Sequence, residues 1–331
     1  MTVPEPNDLI DPLRLGAWLD EQGLEAGRAL EIEPVRGGAS NVMFAVSRGA
    51  AQWVLRRPAK VAIERANEGM RREFRLLSAL AGTEVPHPAV VALCDDHAVL
   101  GCTFFLMERV AGVNAFPPPP ALDDDRHRAE IAYDMVRSLA RLHDVDWQAV
   151  GLQDLGHPER FHERQVGRWS AQLASYEGRE LPGIDQVMSW LQTNRPSRFE
   201  PSIMHGDYHM LNVLIAEDAP GRVNAILDWE TATIGDPLLD LAGFCEVWCP
   251  VAAEGWPSRA QLVETYFACR GRELVDDLAY YEILYNFRLA VLLEGIYQRS
   301  LRDPARGAQH PVGERALLNV DRAVELVESH R

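Results

Sequence analysis

His205-Gly206-Asp207-Tyr208-His209-Met210-Leu211-Asn212 is followed, sixteen residues after Asn212, by Asp228-Trp229-Glu230. Between the two words, residues 213–216 and 223–227 read as short strands joined across Asp218-Ala219-Pro220-Gly221, a hairpin by spacing and turn residues. The hairpin's apolar end, Ala225-Ile226-Leu227, would project Asp228 from a strand into a cleft. An Asp, an Asn five positions on and a second Asp closing the next hairpin are the groups that phosphoryl transfer from ATP requires. Asp207 would orient a substrate hydroxyl and receive its proton, and Asn212 and Asp228 would hold Mg²⁺ through hard oxygen atoms. Any one of these words recurs by chance; both in this order rarely do.

Working outward toward the N-terminus, the pattern is mostly extended. Residues 11–35 read as helix and then strand. Residues 42–46 and 52–57 form a hairpin across Ser47-Arg48-Gly49-Ala50, and residues 90–93, 98–100 and 103–110 read as three further strands. One helix interrupts them over residues 66–81, with Met70, Phe74, Leu77 and Leu80 at helical spacing. Pro117 to Pro120 mark a linker. Beyond it Ile131, Met135, Leu139 and Leu142 keep one face apolar, and helices follow within 160–195, 280–299 and 314–329. The expected fold is α+β and two-lobed: a small β-rich lobe over residues 1–110 and a large helical lobe over residues 111–331 that holds the 213–227 hairpin.

Composition narrows the function classes. The chain has 331 residues, 47% hydrophobic, with a formal net charge of −16. That charge argues against nucleic acid as a partner, since phosphate binding needs Lys and Arg; it fits a solvated acidic surface and, weakly, cationic substrates. Five cysteines, none in CxxC spacing, read as thiols of a reducing compartment. The N-terminal Met1-Thr2-Val3-Pro4-Glu5-Pro6 is acidic and proline-rich, unlike a signal peptide. The greasiest run, 289–296, is interrupted by Glu294 and is too short to span a bilayer. A cytoplasmic protein with no membrane partner is expected. No GxxxxGK[ST] word is present, which excludes a P-loop nucleotidase.

The HGDxxxxN and DWE words resemble the aminoglycoside phosphotransferase and choline kinase superfamily, the small-molecule branch of the protein-kinase-like fold. The resemblance implies ATP and Mg²⁺ as cofactors, with the nucleotide in the cleft between the lobes. By this resemblance His205 organises the loop, and Asp240 in Gly235-Asp236-Pro237-Leu238-Leu239-Asp240 anchors it through hydrogen bonds, while Asp236 before Pro237 has the look of a helix cap. Arg56 of Val54-Leu55-Arg56 stands where the wider superfamily carries the lysine that pairs the α- and β-phosphates. Arginine binds phosphate bidentately and is not a silent exchange. Glu73 is the candidate to orient Arg56. Gly37-Gly38-Ala39-Ser40-Asn41 resembles an abbreviated phosphate loop in which Ser40 and Asn41 would approach the nucleotide. Backbone groups of Glu108 and Val110, at the end of a strand before Ala111-Gly112, would read adenine as a hinge.

Three further features narrow the resemblance: the Val54-Leu55-Arg56-Arg57-Pro58 word, the Phe161, Arg164, Gln165 and Trp169 set, and the stretch from Phe287 to Tyr297. They are similar to the kinase-like domain fused to some acyl-CoA dehydrogenases and to its free-standing bacterial relatives, where arginine at the strand position is usual. The implied activity is transfer of the γ-phosphate to a hydroxyl of a small organic molecule, with a hydroxyacyl-CoA the best-motivated acceptor and Arg164, Arg168 and Arg288 as cations for its phosphates. One alternative is an aminoglycoside or amino-alcohol kinase, in which Glu230, Glu246 and Glu254 would converge on the cleft. Another is a nucleotide-binding regulatory module without turnover, motivated by Arg56 and the minimal glycine loop. Glu230 would either support the site from behind or face the substrate.

Overall fold

The computed structural model describes residues 9–35, 41–59, 64–115, 124–219, 221–249, 256–275, 277–303 and 307–330. The chain opens with α1 (Pro12–Glu21), whose first N–H groups are capped by the Asp11 carboxylate at 3.0 and 3.1 Å. Strands β1 (Leu30–Val35), β2 (Asn41–Arg48) and β3 (Ala51–Pro58) follow, then α2 (Glu64–Leu80), β4 (Val90–Cys94), the one-turn α3 (His97–Leu100) and β5 (Phe104–Glu108). The five strands form one antiparallel sheet in the order β1-β2-β3-β5-β4.

Successive side chains on a strand face opposite sides, and this sheet is covered on both. Leu55, Phe104 and Leu106 pack with Leu15, Trp18 and Leu19 of α1. Phe105 and Met107, of opposite parity, pack with Met70, Leu77 and Leu80 of α2 in a core that continues into the helices below. The same alternation sends Arg56 to the α2 side, beside the cleft.

Residues 98–100 are helical rather than extended. Asp96 accepts the Ala98 N–H at 2.8 Å and Gly101 closes the turn at φ 75°, so local capping outweighs the apolar Ala-Val-Leu run. Helix α2 buries Met70, Leu77 and Leu80 of the expected stripe, with Glu73 and Leu76 beside them, while Phe74 is only half-buried. The tight turn at 37–40 and the proline run at 117–120 lie outside the described residues.

The second part of the chain continues with β6 (Val113–Asn114), α4 (Asp125–His143), α5 (Phe161–Ala174), α6 (Ile184–Thr193) and β7 (Ser202–Met204). The hairpin β8 (Val213–Ile215) and β9 (Val223–Ile226) comes next, then β10 (Thr233–Gly235), α7 (Leu238–Trp248), α8 (Arg259–Cys269), α9 (Ala279–Arg302) and α10 (His310–Ser329). Strand β6 joins the hairpin in the order β6-β8-β9, and β7 pairs with β10. Gly112 sits at φ 144°, where a Cβ would meet the Ile215 carbonyl oxygen at 2.6 Å, so only glycine lets the chain cross this close to β8. The Asn224 Nδ2 donates to the Ala111 carbonyl at 2.6 Å and fastens the crossing.

The helical part is therefore a bundle around one hairpin. Glu294, which breaks the greasy run of α9, is fully buried and accepts from Arg179 at 2.9 Å. Among the described residues no helix is long and apolar enough to cross a membrane. All five cysteines are free; Cys94, Cys102 and Cys245 are buried.

Candidate active site

The loop 205–212 runs from β7 to β8, and a buried carboxylate shapes it. Asp240, on the first turn of α7, accepts the His205 N–H at 2.6 Å and the Gly206 N–H at 2.9 Å. Gly206 adopts φ 81°, and a Cβ there would lie 2.8 Å from the Thr231 carbonyl oxygen. Both the conformation and the close approach demand glycine. The His205 ring is buried, 4.8 Å from the Trp229 ring between centroids. Its Nε2 lies 2.9 Å from the Leu227 carbonyl and its Nδ1 accepts the Asp207 N–H at 3.3 Å. That pattern defines the neutral Nε2–H tautomer, and burial, the largest influence, holds the ring's pKa below its ordinary value. Asp236 is also buried; it accepts the Leu238 N–H at 3.1 Å at the start of α7 and bonds His162 and the Tyr281 hydroxyl at 2.9 Å each.

Asp207 and Asn212 are brought together by one turn of 3-10 helix, Met210–Asn212. Asn212 Nδ2 donates to the Asp207 carbonyl at 3.0 Å and to its carboxylate at 3.2 Å. The amide nitrogen is thereby occupied, and Oδ1 is the acceptor left for another ligand. Burial pushes the Asp207 carboxyl up, but the His209 hydrogen bond and charge, with the Asn212 bond, outweigh it, so its pKa falls below the usual carboxylate value. His209 Nε2 lies 3.4 Å from Asp207 Oδ1. It was not among the residues expected from the sequence; its place two residues after Asp207 and three before Asn212 is its only signal there.

Asp228 enters from the hairpin. The Leu227 N–H donates to the Asn212 carbonyl at 2.8 Å, which sets the spacing between the two candidate metal ligands. Asp228 itself adopts φ 63°, ψ 65°, a left-handed conformation that costs a non-glycine residue about 1–2 kcal/mol. Trp229 holds the turn: it is buried and its indole N–H donates to the Ile226 carbonyl at 2.9 Å.

Arg56 reaches this point from β3. Its Nε donates to Glu73 at 2.9 Å and its Nη2 to Asp228 at 2.8 Å, with Glu230 at 3.7 Å. Burial acts most on the Glu73 carboxyl and pushes it up to about 7, partly countered by Arg56. Asn41 Nδ2 donates to Glu230 at 2.7 Å. Glu230 thus binds the start of β2 across the cleft, and Asn41, expected near the nucleotide, spends its amide on that contact. Ser40 lies outside the described residues. Of the expected hinge groups, the Glu108 N–H is taken by the Ala89 carbonyl at 2.7 Å, and Val110 is half-buried.

The arginines expected to serve an acceptor divide. Arg164 donates to the His157 and Glu159 carbonyls of its own loop and is occupied there. Arg168 and Arg288 lie 5.0 and 5.3 Å from the centre of the Trp169 ring, and Arg288 Nη2 reaches the Gly206 carbonyl at 3.5 Å. Of the carboxylates expected for a cationic acceptor, Glu246 is paired with Arg322 at 3.0 Å and accepts from Asn286 at 2.8 Å. Glu254 lies outside the described residues.

A five-stranded lobe set over a helical lobe, with two carboxylates and an amide at the junction and an ion-paired arginine above them, defines a kinase-like phosphotransferase of the small-molecule class. The chain belongs to the phosphotransferase enzyme family, whose model matches residues 31–274. It is 31% identical over 322 residues to acyl-CoA dehydrogenase family member 10 of Mus musculus, covering 93% of this chain and 30% of that protein. It spans no more than about 40% of the length of such curated acyl-CoA dehydrogenase family relatives. A crystal structure from Ralstonia eutropha JMP134, provisionally described as an aminoglycoside phosphotransferase, superposes with a TM-score of 0.84 at 31% identity, covering 96% of this chain and 98% of that one. Aminoglycoside phosphotransferase APH(4)-Ia, solved with AMP-PNP and hygromycin B, shares the fold at a TM-score of 0.59 and 18% identity, covering 93% and 98%.

Proposed function

We propose that this protein transfers the γ-phosphate of ATP, with Mg²⁺, to a hydroxyl of a small organic acceptor, and that the acceptor is a hydroxyacyl-CoA. The observation that carries the reading is the convergence of Asp207, Asn212 and Asp228 under the Arg56–Glu73 pair. The donor set suits Mg²⁺: one amide oxygen and one carboxylate, both hard ligands, leave positions for water and phosphate oxygens. Among the described residues no three His, Cys, Asp or Glu side chains gather to hold a metal alone, so the ion would arrive with the nucleotide. Bound there, it would offset the charge of the β- and γ-phosphates.

The chain's own residues do the rest. Asp207, ionised at neutral pH, accepts a hydrogen bond from the acceptor hydroxyl, aligns its oxygen with the γ-phosphate and takes the proton as the new P–O bond forms and the bond from the γ-phosphorus to the β–γ bridging oxygen breaks, with ADP leaving. Asn212 fixes the Asp207 rotamer through its Nδ2. Asp228 and Asn212 would hold Mg²⁺, and Arg56, its Nε kept by Glu73, would then be free to turn its other nitrogens to the α- and β-phosphates. Residues 1–110 form the nucleotide lobe in this account and residues 111–331 the acceptor lobe. Ser40 and the Asn41 backbone approach the phosphates, and the Glu108 carbonyl and the Val110 backbone read adenine. The acyl-CoA part of the reading is supported by the acyl-CoA dehydrogenase family relatives. A cytoplasmic setting would supply the ATP that this reading requires.

The test is a coupled ADP-release screen with Mg²⁺-ATP against hydroxyacyl-CoAs, amino alcohols and aminoglycosides, beside Asp207→Asn. Turnover confined to hydroxyacyl-CoAs and lost in the variant is expected. Turnover confined to aminoglycosides would overturn the acceptor class, and tight ATP binding with no product from any class would overturn the reaction.

A further inference from the structure

A cavity of about 480 Å³ opens beside Asp207. Met210 and Leu211 from the catalytic loop, Val247 from α7 and Leu289 from α9 form its apolar wall. Leu211 is 55% exposed, so part of this apolar wall is open to solvent. Besides Asp207, six polar side chains line the cavity: His209, Glu246, Tyr285, Asn286, Arg315 and Asn319.

Charge decides what such a cavity accepts. Asp207 is committed to the transferred proton. Glu246, the other carboxylate of the lining, has both oxygens engaged by Arg322, at 3.0 and 3.2 Å, and takes a further bond from Asn286. A pocket for a polyamine sugar needs carboxylates free to pair with ammonium groups; this one has spent its second carboxylate. Arg315, on α10, is exposed, lines the same cavity and makes no ion pair among the described residues. An exposed guanidinium beside an apolar wall suits a ligand with an apolar body and an oxyanion.

We propose that Arg315 is a specificity-determining residue that reads an oxyanion of the acceptor, so that the acceptor hydroxyl belongs to an apolar, anionic molecule rather than a cationic one. This rests on the phosphotransfer reading for the position of the acceptor. The oxyanion is either a carboxylate close to the reacting chain or a phosphate of a coenzyme A arm.

The test measures binding and turnover separately on the full chain with ADP and Mg²⁺ present. Titration calorimetry would compare 3-hydroxybutyryl-CoA, 3-hydroxybutyrate, the neutral N-acetylcysteamine thioester of the same acid, and kanamycin. The wild-type protein is expected to bind at least one of the two anions about tenfold or more tightly than the neutral thioester, and kanamycin most weakly. Preference for the CoA ester alone identifies a phosphate; preference shared by the free acid identifies a carboxylate. Arg315→Glu should abolish the preference and Arg315→Lys should keep most of it, with ADP affinity unchanged in both as the check on folding. Equal affinity of the wild-type protein for neutral and anionic probes, or a preference that survives Arg315→Glu, would overturn the inference. A charge preference that follows Arg315 without ADP release from ATP and any probe would instead overturn the phosphotransfer reading and leave the anion site standing.

Discussion

Nη2 of Arg56 lies 2.8 Å from Oδ1 of Asp228, 172 residues further along the chain. Strand β3 of the sheet lobe thereby touches the turn that ends the β8–β9 hairpin of the helical lobe. The nucleotide site proposed between them is held by a charge-assisted bond whose carboxylate is also the candidate metal ligand. The arginine is buried and shared: Glu73 holds its Nε while Asp228 takes its Nη2.

That sharing makes lysine a poor substitute. A single ammonium cannot present two fixed nitrogens in these two directions. Arg56→Lys is expected to raise the KM for ATP about tenfold with a smaller effect on the acceptor KM, measured by steady-state kinetics. Arg56→Ala leaves Glu73 buried without its partner, and chemical denaturation should show a loss of about 3–5 kcal/mol.

Asp207→Asn keeps the shape of the loop and removes the proton acceptor. Turnover should fall about 10²–10⁴-fold while ADP affinity is retained. Loss of ADP affinity in parallel would show that the variant disturbs the fold rather than the chemistry.

Asp240 tests the loop's support apart from its chemistry. Asp240→Asn replaces one of two acceptor oxygens with a donor that faces the His205 or Gly206 N–H. One backbone donor is left buried and unpaired, at about 1–3 kcal/mol. Thermal unfolding should register that loss, and kcat should fall with little change in the KM for ATP.

Much of this could be read from the sequence, and the limits have physical causes. The two words at 205–212 and 228–230 carry their own turn chemistry: Gly206 is required by φ and by contact, and the apolar 225–227 run leads to Asp228. The helices came through where apolar residues recur at 3.6 spacing, as in α4 and α9. Residues 98–100 failed because a strand-like trio cannot reveal that Asp96 and Gly101 cap it from both ends. The Asn41–Glu230 contact and the occupation of Arg164 by its own loop were not legible, since each depends on how distant or irregular segments meet. His209 was hidden because its role comes from a ring placed beside Asp207, not from spacing alone.

Stability should depend on pH through buried groups of opposite sign. His205 and His143 both have folded pKa values below the ordinary 6.5, burial being the main cause. The unfolded chain then binds more protons below that value, so their contribution is lost as pH falls below about 6.5. Glu73, raised to about 7 from 4.5, binds more protons when folded, so its contribution falls as pH rises from about 4.5 to 7. Each fully different proton is worth about 1.4 kcal/mol per pH unit. With two groups against one, denaturation midpoints should drop on acidification from pH 6.5 to 5.5, and Glu73→Gln should steepen that drop.

The most direct measurement is mass spectrometry of the acceptor after incubation with Mg²⁺-ATP, run with wild-type protein, Asp207→Asn and Asp228→Asn. The account predicts a phosphate ester on a hydroxyacyl-CoA from the wild-type protein, formed about 10²-fold or more slowly by Asp207→Asn, and formed more slowly and only at raised Mg²⁺ concentration by Asp228→Asn. Undiminished product from Asp207→Asn, or ATP bound with no phosphorylated acceptor from any class, would contradict it.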